Sequence, residues 1–116
     1  MSEVTIYHNP RCSKSRQTLA ILQDKGVTPT VIEYLTAPLD AETLKSLLTM
    51  LGMGPRDLMR KKEDVYQANN LGDERLSDDD LINAMIDHPI LIERPIVVKD
   101  GRAVLGRPPE NVEGLL

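Results

Sequence analysis

Short apolar runs and helical stripes alternate along this chain. Val4-Thr5-Ile6-Tyr7 is β-branched and aromatic and reads as a first strand, which Asn9-Pro10 ends because Pro10 offers no N–H to a ladder and restrains the residue before it. From Ser13 the apolar Leu19, Ile21 and Leu22, with Thr18 and Ala20 alongside, fall at mixed helical spacing as far as Lys25-Gly26, where a cationic last turn and a glycine mark a stop. Thr30-Val31-Ile32-Glu33-Tyr34-Leu35 reads as a second strand. A strand, a helix and a strand in so short a span predict a right-handed parallel unit.

The middle of the chain changes period. Ala37-Pro38-Leu39-Asp40 is a connection ending at an N-cap, and the helix opened by Asp40 carries Leu44, Leu47, Leu48 and Leu51 on one face before Gly52 closes it. Pro55 suits the first turn of a short second helix that presents Leu58 and Met59 ahead of the basic triplet Arg60-Lys61-Lys62. Ser77 with Asp80 resembles a capping box, and Leu81, Ile82, Met85 and Ile86 continue a third stripe to His88-Pro89. Asp78, Asp79 and Asp80 favour that helix start through its dipole; adjacent carboxylates on a helix fan outward, so they read as a solvated helix end and not a metal site.

The period returns to two at the end. Pro95-Ile96-Val97-Val98-Lys99, then Asp100-Gly101, then Arg102-Ala103-Val104-Leu105 predict an antiparallel hairpin with a two-residue turn. After Gly106-Arg107, Pro108-Pro109-Glu110 can start a terminal helix. No internal repeat or linker interrupts the order β, α, β, three helices, β, β, α, so residues 1–116 read as one α/β domain with a helical insertion over about residues 37–93.

Composition narrows the class. The 116 residues include one cysteine, so no internal disulfide can form, and no apolar run or leader pattern directs the chain to a membrane or out of the cell. A reducing cytoplasm is the expected setting. Phe and Trp are absent and the formal charge is −4, which leaves few platforms for stacking bases and argues against a nucleic-acid binder. One thiol and two histidines are too thin a set for a tetrahedral zinc site.

Chemistry gathers at Tyr7 to Arg16. Cys12 lies at a strand-to-helix turn, where backbone N–H groups and the helix dipole favour negative charge, so its thiolate forms more readily than that of a free cysteine. A lone cysteine can also be a small buried hydrophobe, but here His8, Lys14, Ser15 and Arg16 crowd it. Arg60, Arg94 and Arg107 stand at the edges of predicted elements; their forked donors can converge on one anion, although composition alone reads each as a surface arginine.

The segments IYHNPRCSKSR, DLMRKKEDVY, HPILIERPIVV and LGRPPE, in this order and nearly end to end, resemble the glutaredoxin-coupled arsenate reductase family. In that family HNPxCxxSR carries the catalytic cysteine, which falls on Cys12, with the nearby histidine on His8 and the last position of the C-x-x-S pair on Ser15. The three anion-binding arginines fall on Arg60, Arg94 and Arg107. The resemblance further implies a thioredoxin-like fold, a mixed sheet flanked by helices with the insertion between the second strand and the C-terminal hairpin, and a cis Pro95 facing the thiol.

The activity implied is reduction of arsenate to arsenite through a Cys12–arsenic adduct. His8 would help keep Cys12 ionised, and Ser15 would hydrogen-bond its sulfur. Since one cysteine cannot resolve such an adduct, the partners implied are glutathione as co-substrate and glutaredoxin, with no bound cofactor, no metal, no nucleic acid and no membrane. Arg11 and Lys14 add positive charge where small or neutral residues also occur in the family, which keeps open a glutathione-dependent thiol oxidoreductase acting on another substrate. A related branch regulates transcription by binding RNA polymerase; its active members carry C-x-x-C, whereas this chain pairs Cys12 with Ser15.

Overall fold

The computed structural model describes residues 3–37 and 39–116, so Pro38 of the predicted connection lies outside the described residues. The chain divides into two compact units, Met1–Ala37 with Arg94–Leu116, and Pro38–Glu93.

The first unit is built on a four-stranded mixed sheet in the order β2-β1-β3-β4. Strand β1 (Val4–Tyr7) leads into helix α1 (Ser13–Asp24) and returns to β2 (Thr30–Ile32), parallel to β1 with Tyr7 opposite Ile32. Strands β3 (Ile96–Lys99) and β4 (Arg102–Leu105) form the predicted hairpin, whose turn residues Asp100 and Gly101 both take positive φ, 54° and 74°. That pair of left-handed residues matches the twist of the flanking strands. Leu22 of α1 packs with Val4 and Ile6 of β1, Val97 of β3, and Val112 and Leu115 from the end of the chain in one apolar cluster.

Register fixes what meets at one end of this sheet. Because β3 runs antiparallel to β1 with Ile96 opposite Tyr7, the residues just before β3 lie level with the loop that follows β1. Because Ile96 also pairs with Leu105, the residues just after β4 arrive at the same end.

Helices α2 (Ala41–Leu51), α3 (Pro55–Leu58), α4 (Asp64–Ala68) and α5 (Asp78–Asp87), followed by a 3₁₀ turn at Pro89–Leu91, lie in the second unit. Asp40 caps α2 by accepting from the Thr43 N–H at 2.8 Å, and Gly52 ends it in the left-handed region at φ 68°. Ser77 and Asp80 cap α5 reciprocally: the Asp80 N–H donates to Ser77 Oγ at 3.1 Å, and the Ser77 N–H donates to Asp80 Oδ2 at 3.0 Å. Leu44, Leu47 and Leu48 of α2 and Leu81, Ile82 and Met85 of α5 are buried, and the two helices pack together.

Three expectations are corrected. The second strand stops at Ile32, because the Thr36 and Ala37 N–H groups both donate to Glu33 O and fold the rest of the run into a turn. Helix α4 was not predicted; none of its residues is buried, so no apolar stripe marks it. The terminal segment Pro109–Gly114 is a 3₁₀ helix instead of an α-helix. Among the described residues no helix is long and apolar enough to cross a membrane.

Candidate active site

Four short contacts hold the loop after β1 in place. His8 continues the parallel ladder by donating its N–H to Ile32 O at 2.8 Å. Asn9 Oδ1 accepts from the Arg11 N–H at 3.0 Å, and Asn9 O accepts from the Cys12 N–H at 3.0 Å, so one asparagine shapes the turn that delivers Cys12. Arg16 reaches back from α1, its Nη1 donating to Pro10 O at 2.8 Å.

Cys12 is the N-cap of α1 and is partly exposed. Burial pushes its thiol up, but the Ser15 N–H, the Arg94 side chain and charge, and the Lys14 N–H together hold it below the ordinary thiol value. No acidic residue lies in the first turn of α1 to oppose them.

Two of the three predicted arginines stand at this end of the sheet. Arg94 is largely buried and precedes a cis Arg94–Pro95 bond; Arg107 is exposed and precedes a cis Arg107–Pro108 bond. Arg107 Nη1 lies 3.7 Å from Cys12 Sγ and donates to Arg94 O at 3.3 Å. Register supplies the reason, since β3 and β4 bring both flanking segments to the level of the Cys12 loop.

Arg60 belongs to the second unit. There its backbone N–H donates to Leu91 O at 2.7 Å, beside the Met59–Ile92 bridge, and its guanidinium meets Glu93 at 2.8 Å and Glu63 at 3.4 Å.

His8 and Ser15 meet each other. His8 Nδ1 lies 2.6 Å from Ser15 Oγ, and the Asn9 N–H donates to the same hydroxyl at 3.1 Å, all of it buried. The hydroxyl is thus engaged with His8 and Asn9, and it is the Ser15 backbone N–H that helps lower the Cys12 thiol. Burial lowers the His8 pKa, the Glu33 charge raises it and the Arg16 charge lowers it, and the net shift is downward. A neutral His8 is favoured near neutral pH, and its ring can accept the Ser15 hydroxyl proton in that form.

Sequence reasoning missed three residues that shape this site. Asn9 carries an Asx-turn signal that its place before Pro10 could have revealed. Thr18 and Gly106 carry no local signal, because their contact joins distant parts of the chain.

A family model described as the ArsC family matches residues 7–115. The chain is 45% identical over 117 residues to an arsenate reductase of Neisseria meningitidis serogroup A, covering 100% of both chains. It is 59% identical over 111 residues to the uncharacterized protein YfgD of Escherichia coli K12, covering 95% of this chain and 93% of that one. Among solved structures, an arsenate reductase from Vibrio cholerae superposes with a TM-score of 0.96 at 55% identity, covering 98% of each chain. The fold is thioredoxin-like, a mixed sheet flanked by helices.

Proposed function

The chain belongs to the ArsC family, and on that footing we propose that it is an arsenate reductase that uses Cys12 as nucleophile and borrows its second thiol from glutathione. The observation that carries the reading is the Cys12 thiol itself: lowered at a helix start by the Ser15 and Lys14 N–H groups and Arg94, with the Arg107 guanidinium 3.7 Å from its sulfur. A thiol that ionises more readily than usual, beside forked cationic donors, suits attack on a tetrahedral oxyanion.

Each step balances. The Cys12 thiolate attacks arsenic, an S–As bond forms, and one arsenate oxygen leaves as water after protonation. A glutathione thiolate then attacks the Cys12 sulfur; an S–S bond forms, the S–As bond breaks, and its electron pair stays on arsenic, which passes from As(V) to As(III) and leaves as arsenite. Glutaredoxin takes glutathione from the mixed disulfide and frees the Cys12 thiolate. With a single cysteine in the chain, the second thiol has to come from outside.

Arg94 and Arg107 are the proposed oxyanion contacts, and Arg60 joins them on the family pattern. In the same pattern Pro95 faces the thiol and His8 and Ser15 assist it; their mutual contact supports that part by holding the loop that carries Cys12. A reducing cytoplasm suits a reaction that draws on glutathione.

Purified protein supplied with glutathione, glutaredoxin, glutathione reductase and NADPH is expected to oxidise NADPH in proportion to added arsenate. Absence of arsenate-dependent turnover would overturn the assignment. Turnover of glutathione mixed disulfides without arsenate would point instead to a glutathione-dependent thiol oxidoreductase.

A further inference from the structure

Thr18 is fully buried in α1, and the chemistry above gives it no task. Its hydroxyl donates to Lys14 O at 2.9 Å, the usual back-bond within a helix, and also reaches Gly106 O at 3.3 Å. The second acceptor lies 88 residues further along the chain. Helix back-bonding alone requires no such partner.

Gly106 is seated tightly against it. A Cβ there would collide with Thr18 Oγ1, meet Thr18 Cγ2 at 3.0 Å and stand 2.7 Å from Pro95 Cγ, so only a residue without a side chain fits. The Gly106 N–H donates to Pro95 O at 2.9 Å. Gly106 is therefore clasped between α1 and the start of β3.

Arg107 begins from that clasp. Thr18 fixes the carbonyl of the peptide that enters Arg107, and Asn111 Nδ2 donates to the Arg107 carbonyl at 3.2 Å. The Arg107 side chain is exposed and long, so where its guanidinium spends its time depends on how firmly its backbone is held and on the contacts at its tip. Those contacts include Cys12 Sγ and Arg94 O.

We propose that Thr18, acting through Gly106, is a positioning residue that holds the Arg107 guanidinium beside the Cys12 sulfur. The role rests on reading Cys12 as the nucleophile and Arg107 as an anion contact, and it adds a residue from the buried side of α1 to that site. Thr18 touches neither sulfur nor substrate in this arrangement. It sets the approach of a cation that does.

The test compares alkylation of Cys12 by iodoacetate, an anion, with alkylation by neutral iodoacetamide. Both reagents consume the same thiolate, so the ratio of the two rates cancels thiol ionisation and reports the charge beside sulfur. At low ionic strength Arg107→Gln is expected to lower the ratio by roughly threefold to tenfold, the order expected for losing one unit charge a few ångströms away in water. Thr18→Val, which keeps the side-chain shape but removes the hydroxyl, is expected to lower it in the same direction, while Thr18→Ser retains the wild-type ratio. In the Arg107→Gln background Thr18→Val is expected to change nothing further.

A Thr18→Val ratio equal to wild type overturns the proposal. So does an unchanged ratio in Arg107→Gln, or a Thr18→Val loss that persists in full when Arg107 is gone. Thermal unfolding identifies any variant not folded at the measuring temperature, and Thr18→Ala replaces Thr18→Val in that event. No arsenate enters the measurement, so a chain inactive on arsenate can pass it and a competent arsenate reductase can fail it.

Discussion

His8 Nδ1 and Ser15 Oγ lie 2.6 Å apart in a buried contact that joins the end of β1 to the first turn of α1. Since Ser15 Oγ also accepts from the Asn9 N–H, its own proton can be given to the ring of a neutral His8. The active loop is thus pinned on its inner side while the thiol stays accessible on its outer side.

Acidification should release that pin. The folded His8 pKa lies below the ordinary value of 6.5, so the unfolded chain binds the extra proton first as pH falls. Stability therefore rises with pH across the window between the folded value and 6.5, and is lost as pH falls below 6.5. Urea midpoints measured between neutral and mildly acidic pH are expected to show this loss in wild type and a smaller one in His8→Asn. Ser15→Ala, which leaves the Asn9 N–H and the His8 ring without the hydroxyl, is expected to cost about 1–3 kcal/mol at neutral pH. An unchanged midpoint would show the contact to be dispensable.

Cys12 should titrate below 9.0, the ordinary thiol value, because Arg94 and two backbone N–H groups outweigh the opposing effect of burial. The pH dependence of iodoacetamide alkylation reads this directly. Arg94→Ala is expected to move the midpoint upward and to slow alkylation at neutral pH, whereas substitutions at the exposed Lys14 side chain keep its backbone N–H and should move the midpoint less. Cys12→Ser is expected to abolish arsenate turnover. A Cys12→Ser protein of undiminished activity would remove the mechanism altogether.

Helix α5 offers a test of the second unit alone. Ser77→Ala removes the acceptor of the Asp80 N–H and is expected to lower stability by about 1 kcal/mol in urea unfolding, with Ser77→Asp restoring most of it. Equal stability of Ser77→Ala and wild type would mean that the first turn of α5 finds another partner.

How much of this was legible in the sequence follows from the range of each interaction. The α5 cap and the Asp100-Gly101 turn depend on neighbours in the chain, so composition at fixed offsets disclosed them. The run after Ile32 misled because Tyr34 is apolar and buried, which looks the same in a strand and in a turn. Helix α4 has no buried side chain and hence no stripe to read. At the site, Cys12 was visible from its place at a helix start, but the meeting of Arg94 and Arg107 at the thiol depends on the Tyr7–Ile96 and Ile96–Leu105 register, which no local pattern encodes. The Thr18–Gly106 contact is further out of reach for the same reason.

Arg60 supplies the most discriminating prediction, because two readings of it diverge. Its guanidinium meets Glu93 at 2.8 Å and Glu63 at 3.4 Å, both pairs partly exposed, and such pairs contribute only about 0–1 kcal/mol to stability. If Arg60 serves only to pair these carboxylates, Arg60→Ala and Glu93→Gln should both cost a little stability and leave the KM for arsenate unchanged. If Arg60 also contacts the oxyanion, the two variants separate. Arg60→Ala then loses a charge-assisted hydrogen bond of about 1.5–3 kcal/mol and should raise KM by roughly tenfold to a hundredfold. Glu93→Gln removes a carboxylate that competes with arsenate for the same donors, so its KM should stay level or fall. Steady-state kinetics of the two variants at matched ionic strength decides between the readings: parallel behaviour makes Arg60 a structural cation, and opposite behaviour makes it the third arginine of the anion site.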